Sequence, residues 1–191
     1  MRAKHDPTGG YQGKRTTTSS GQPRYNSVIL LVPVTHQTII VLDFGSQFTQ
    51  LIARRLRELG VYSEVWPPDT PMEKIRARDP AGIILSGGPK SVSDATAPKC
   101  DPAVYAIGRP VLGICYGMQL MADQLGGRVA PAASREFGHA TVAISEPVAL
   151  FANLPAELQV WASHGDFVAA APAGFSVVAT STNAPSRASV I

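Results

Sequence analysis

Apolar positions along the chain follow two alternating rhythms. Ile39-Ile40-Val41-Leu42 is an unbroken apolar run, the pattern of a strand covered on both faces. Asp43-Phe44-Gly45-Ser46 then turns the chain, and the spacing becomes helical from Gln47 to Leu59. Phe48, Leu51, Ile52, Leu56 and Leu59 form the expected inner stripe, Arg54, Arg55 and Arg57 the outer face, and Gly60 the cap. Val61 to Trp66 reads as a second strand. Thr70-Pro71-Met72-Glu73 has the make-up of a capping box with proline at the first helical position, opening a short helix to Arg78. Gly82-Ile83-Ile84-Leu85 is a third strand ending in Ser86-Gly87-Gly88-Pro89, and Asp101 to Ile107 is a brief helix. Val111 to Ile114, opened by Pro110, reads as a buried fourth strand. From Tyr116 the spacing is helical again, with Met118, Met121, Ala122 and Leu125 on one face and Gly126-Gly127 at the end.

Buried strands alternating with amphipathic helices predict an α/β fold: a doubly wound, mostly parallel sheet with helices on both faces. After Gly127 the texture changes. Thr141 to Ile144, Leu158 to Ala162, Phe167 to Ala170 and Phe175 to Thr180 are short strands between Pro, Gly and Asn, expected to form an antiparallel extension on one sheet edge. Ala188 to Ile191 reads as the start of another strand, the mark of a chain truncated in mid-element. Residues 1–37, rich in Gly, Ser, Thr, Pro and Gln without any period, read as a disordered tail before a domain spanning 38–191. Within that tail, Val28 to Val34 is broken by Pro33, and Thr35-His36-Gln37 offers no signal-peptide cleavage site. A transit peptide is the weaker alternative to a tag-like or mis-started extension. Gly13-Lys14 ends no phosphate loop, because Thr8 stands where the first glycine belongs.

Cys115 sits where the fourth strand switches to a helix, with Gly113 and Gly117 two residues to either side. That is the pattern of a nucleophile elbow, in which glycines let neighbouring chain pass a strained bend closely. The thiol is then expected to face the first amides of the following helix, which favour thiolate. The ordinary alternative, a buried structural cysteine, lacks a reason for glycines on both sides.

Composition narrows the rest. The 191 residues, 45% hydrophobic and 16% charged, suit one globular domain. The net charge of +3 arises in the tail: residues 1–38 hold five basic groups and one acid, the remainder 12 basic and 13 acidic. A nearly neutral folded part has no basic face for nucleic acid. No apolar run nears the roughly 20 residues a bilayer span needs, so no membrane partner is expected. Two cysteines, Cys100 and Cys115, build no disulfide framework and point to a reducing cytoplasm.

In a parallel sheet, ligands bind outside the carboxyl ends of the strands. Asp43 to Gln47, Ser86 to Pro89 and the Cys115 bend share that edge. Gly87-Gly88, with the Tyr116 amide, can form an oxyanion hole; an ordinary glycine-rich turn is the alternative. The same Ser-Gly-Gly begins a pyrophosphate-loop pattern, but Lys90 stands where that pattern needs aspartate. Ser163-His164-Gly165-Asp166 is a polar cluster between two strands. His164 as a general base is the less favoured use, and presenting amides and polar groups to a substrate the favoured one. His139 falls in a loop after Arg135-Glu136-Phe137-Gly138. No Cys/His set has metal-ligand spacing, and Cys100 has no bend around it.

Asp43-Phe44-Gly45-Ser46-Gln47, Ser86-Gly87-Gly88-Pro89, Gly113 to Gln119, Arg135 to Gly138 and Ser163 to Asp166 occur in order. Together they resemble the class I (triad) glutamine amidotransferase domain of the glutamine-hydrolysing GMP synthases, over about Thr38 to Ile191. The resemblance implies a flavodoxin-like class I glutaminase fold. It implies Cys115 as nucleophile on the glutamine side-chain amide, with the Gly88 and Tyr116 amides as oxyanion hole. Gln119, Ser163, His164, Gly165 and Asp166 would hold glutamine. No cofactor is implied for this domain: ATP and Mg belong to a synthetase domain that converts XMP to GMP with the released ammonia. For full-length proteins a homodimer is implied. The family's catalytic His and Glu stand in a Gln-Phe-His-Pro-Glu segment that would lie beyond Ile191, so the fragment is expected to hydrolyse glutamine poorly or not at all. Two other readings stay open: the glutaminase component of an anthranilate synthase, and a non-catalytic binding module on the same scaffold.

Overall fold

The computed structural model describes residues 37–146 and 149–181, with residues 133–137, 149, 163 and 164 described by their backbone alone. All belong to one unit, His36–Ile191. The tail, apart from Gln37, and the expected strand at Ala188 to Ile191 lie outside the described residues.

Four strands form the parallel sheet. β1 (Thr38–Leu42) lies between β2 (Tyr62–Trp66) and β3 (Gly82–Leu85), and β4 (Val111–Gly113) pairs with the far side of β3. In register, Leu42 stands opposite both Trp66 and Leu85, and Ile84 opposite Leu112. The unbroken apolar runs are explained by position: all of β3 and all of β1 except Ile39 are buried. β4 departs from expectation. It is the outer strand among the described residues, and Leu112 is 36% exposed.

Helices α1 (Thr49–Glu58), α2 (Met72–Arg78) and α3 (Tyr116–Gln124) flank this sheet, with a short 3-10 helix at Pro102–Ala106. α1 turns inward only part of the stripe its apolar spacing predicts, with Ile52 and Leu56 half-buried. Thr49 and Ala53 are buried, whereas Phe48, Leu51 and Leu59 are exposed. The small Ala53 lets the helix approach β2 closely, and Ser63 Oγ donates to the Ala53 carbonyl at 2.9 Å. The capping box is also absent. Thr70 Oγ1 donates to the Pro67 carbonyl at 2.7 Å, and no side chain caps α2, which starts at Met72 after Pro71. The expected ends of α1 and α3 hold: Gly60 and Gly126 are left-handed, and Val61 and Gly127 bond back to Leu56 and Ala122.

β5 (Arg128–Ile144), β6 (Glu157–Ala170) and β7 (Ala179–Ser181) form the antiparallel part, a separate sheet ordered β6-β5-β7. The strands expected at Leu158 to Ala162 and Phe167 to Ala170 merge into β6, Thr141 to Ile144 is the end of the longer β5, and of Phe175 to Thr180 only the last residues are strand, in β7. Pairing between β5 and β6 runs from Arg128 opposite Ala170 to Ala143 opposite Glu157, with an irregularity between Pro131 and Glu136. His139 therefore lies in a strand rather than a loop, edge-on to Trp161 at 5.2 Å. Around α3 the core gathers Ile40, Leu42, Phe44, Leu85, Val104, Tyr116 and Leu120.

Candidate active site

The bend at Cys115 follows from its neighbours. Between β4 and α3, Cys115 adopts φ 50° and ψ −111°, a strained conformation for a residue with a side chain. Two glycines make this possible. A Cβ on Gly113 would lie 2.6 Å from the Met118 amide nitrogen, and one on Gly117 2.6 Å from Leu85 Cβ. Two hydrogen bonds pin the bend to the end of β3: Ile114 N–H to the Leu85 carbonyl at 2.9 Å and Gly117 N–H to the Ser86 carbonyl at 3.0 Å.

The other two loops meet it there. Ser86 is fully buried, its amide bonded to the Leu42 carbonyl at 3.0 Å. Its Oγ accepts from Phe44 N–H at 3.0 Å and donates to the Gly87 carbonyl at 2.9 Å. Gly87 is next to the nucleophile candidate: a Cβ there would stand 3.6 Å from Cys115 Cβ and 3.5 Å from Ser46 Oγ. Gly88 is wedged between Phe44 and Tyr116, whose rings lie 5.4 Å apart. Asp43 Oδ1 closes the first loop, accepting from Gly45 N–H at 2.9 Å and Thr49 Oγ1 at 2.7 Å. Tyr116 is held from its far end too, its hydroxyl donating to the Pro98 carbonyl at 2.6 Å.

Electrostatics correct one expectation. Burial pushes the half-buried Cys115 thiol above its ordinary pKa, the hydrogen bond from the Tyr116 amide opposes this, and the charge of Asp166 adds to the rise. Burial outweighs the amides, so the resting group is a thiol and not the thiolate expected from its bend. Burial likewise raises the Tyr116 phenol, to about 12, and the Cys100 thiol. Cys100 belongs to a core network in which Tyr105 Oη donates to Gln124 Oε1 at 2.7 Å.

Gln119 and Asp166 come together, but through the strand's backbone. Gln119 is 4% exposed and donates its side-chain amide to the Asp166 carbonyl at 2.9 Å. Ser163, His164, Gly165 and Asp166 all lie within β6, where a loop between strands was expected. Ser163 stands opposite Phe137 and His164 opposite Glu136, so two separate sequence motifs are register partners. The side chains of Ser163 and His164 lie outside the described residues. Among the described residues, no group of three His, Cys, Asp or Glu gathers as a metal would require. The positioning contacts of Ser86 and Asp43 were not foreseen, although both stand in motifs at the strand ends.

With this geometry in place, the family model for class-I glutamine amidotransferases matches residues 40–191. The chain belongs to that family. Among its relatives, the glutamine-hydrolysing GMP synthase of Syntrophomonas wolfei is 54% identical over 149 residues, covering 78% of this chain and 29% of the relative. That of Geobacillus kaustophilus is 56% identical with the same coverage. The chain thus spans about 29% of the length of these curated relatives. A solved protein of Thermoplasma acidophilum, assigned to GMP synthase, superposes with TM-score 0.71 at 30% identity, covering 80% of this chain and 76% of that one. A Thermotoga maritima glutamine amidotransferase at 21% identity and TM-score 0.58 shares the fold, covering 80% of this chain and 70% of its own.

Proposed function

We propose that this chain is the glutamine-hydrolysing part of a GMP synthase, with Cys115 as its nucleophile. The observation that supports this most is the strained bend that sets Cys115 against Gly87, with the Tyr116 amide bonded to its sulfur. Once deprotonated, Sγ adds to the side-chain carbonyl carbon of glutamine, and the carbonyl oxygen takes the negative charge in front of the Gly88 and Tyr116 amides. Collapse of the adduct breaks the C–N bond, and the leaving nitrogen departs as ammonia after gaining a proton. Water then adds to the thioester, the C–S bond breaks, and glutamate leaves. Gln119 and the Ser163–Asp166 segment would hold the amino-acid end of the substrate. The ammonia is destined for a synthetase partner that uses ATP and Mg on XMP. The proposed compartment is the cytoplasm.

A glutamine-derived chloroketone, with CH2Cl in place of the amide nitrogen, tests this reading. Peptide mass spectrometry is expected to find it on Cys115 and not on Cys100. Failure to modify Cys115, in this chain and in a longer one, would favour a binding module instead.

A further inference from the structure

The turn that supplies the Gly88 amide has a weakness built into it. Close packing against Phe44 and Tyr116 excludes a side chain at Gly88, and Gly87 lies against Cys115. A peptide unit flanked by two glycines is the easiest to flip, because neither neighbouring Cα restricts the rotation. Flipping would replace the Gly88 N–H with the Gly87 carbonyl, and a donor aimed at a developing oxyanion would become an acceptor.

Ser86 blocks that rotation. In a trans peptide the carbonyl and the N–H point in opposite directions, and no cis bond occurs among the described residues. Holding the Gly87 carbonyl on one side therefore fixes the Gly88 N–H on the other. The Ser86 hydroxyl holds it at 2.9 Å. The direction of that hydroxyl is itself set, since Phe44 N–H occupies an acceptor position on Oγ at 3.0 Å. With Ser86 fully buried, water does not compete for either bond. Phe44, Ser86 and Gly87 form a directed chain from the first loop to the peptide that carries the donor.

We propose that Ser86 is a positioning residue for glutamine hydrolysis: its hydroxyl locks the Gly87–Gly88 peptide so that the Gly88 amide faces the substrate oxygen. This deepens the glutaminase reading and rests on it. Two electrophiles separate the role from simple packing. Attack on the chloroketone passes through a tetrahedral alkoxide, which the Gly88 amide stabilises; the sulfur then displaces chloride from the CH2 carbon while its bond to the carbonyl carbon breaks and the ketone re-forms, leaving a thioether. Iodoacetamide reacts with the same sulfur by direct displacement of iodide and needs no oxyanion donor.

For Ser86→Ala, the chloroketone rate at Cys115 is expected to fall at least about tenfold, a partial loss of one oxyanion donor, while the iodoacetamide rate stays within about twofold. Ser86→Thr, which keeps the hydroxyl, is expected to recover most of the loss. Equal falls for both reagents, no fall for either, or an alanine effect that threonine does not relieve would overturn the role of the hydroxyl. A wild-type protein whose Cys115 shows no preference for the chloroketone would remove the glutaminase reading, and this inference with it. Wild-type preference retained in full by Ser86→Ala would remove this inference alone.

Discussion

At Cys115 two physical effects oppose each other, and their balance decides when the sulfur reacts. The first amide of α3 stabilises negative charge on it, while burial and the Asp166 charge disfavour that charge. Because the raised pKa wins, the thiolate fraction in the resting protein is small, and the reaction needs a base. The iodoacetamide rate at Cys115 is therefore predicted to climb about tenfold per pH unit, and to keep climbing past the pH at which an exposed thiol levels off. A plateau below the ordinary thiol range, measured by peptide-resolved labelling, would mean that the amides dominate instead. The bend at Cys115 was legible in the sequence, since Gly113 and Gly117 announce a turn that the backbone then shows. The sign of the pKa shift was not, because burial of Cys115 comes from chain distant in sequence, such as the Gly87 turn packed against it.

Elements were legible where period and length determined them, and illegible where a neighbour chose the face. α1 illustrates the difference. Its helical period is real, yet the small Ala53 faces β2, where it permits the approach that the Ser63 bond needs, and Thr49 is buried at the loop after β1, bonded to Asp43. Leu51→Lys and Leu59→Lys are predicted to change stability by no more than about 0.5 kcal/mol. Ala53→Leu, overfilling a site of 0% exposure, is predicted to cost about 1–3 kcal/mol. Urea midpoints check the contrast, and a larger loss for Leu51→Lys than for Ala53→Leu would contradict the assigned face. The exposure of Leu112 and the in-strand position of Ser163-His164 were hidden for a related reason. Among the described residues, strand order puts β4 outside, and pairing with Glu136 and Phe137 keeps β6 extended through residues that look like a loop.

Across the molecule, the proposed site depends on a parallel sheet that carries Cys115 and an antiparallel sheet that carries the Ser163–Asp166 segment. Gln119 is a direct tie between them, bonding from α3 to the Asp166 carbonyl. Gln119→Ala is predicted to cost about 1–3 kcal/mol in urea unfolding, since it leaves a part-buried carbonyl without that donor. Unchanged stability would show that the tie contributes nothing. Assembly of both halves around one substrate is what the proposed function requires. The most direct measurement is the rate at which the chloroketone modifies Cys115, read by peptide mass spectrometry with and without glutamine. The account predicts preferential modification of Cys115 that glutamine slows as its concentration rises, while an unrelated amino acid leaves the rate unchanged. Modification that ignores glutamine, or that falls on Cys100 instead, would contradict it.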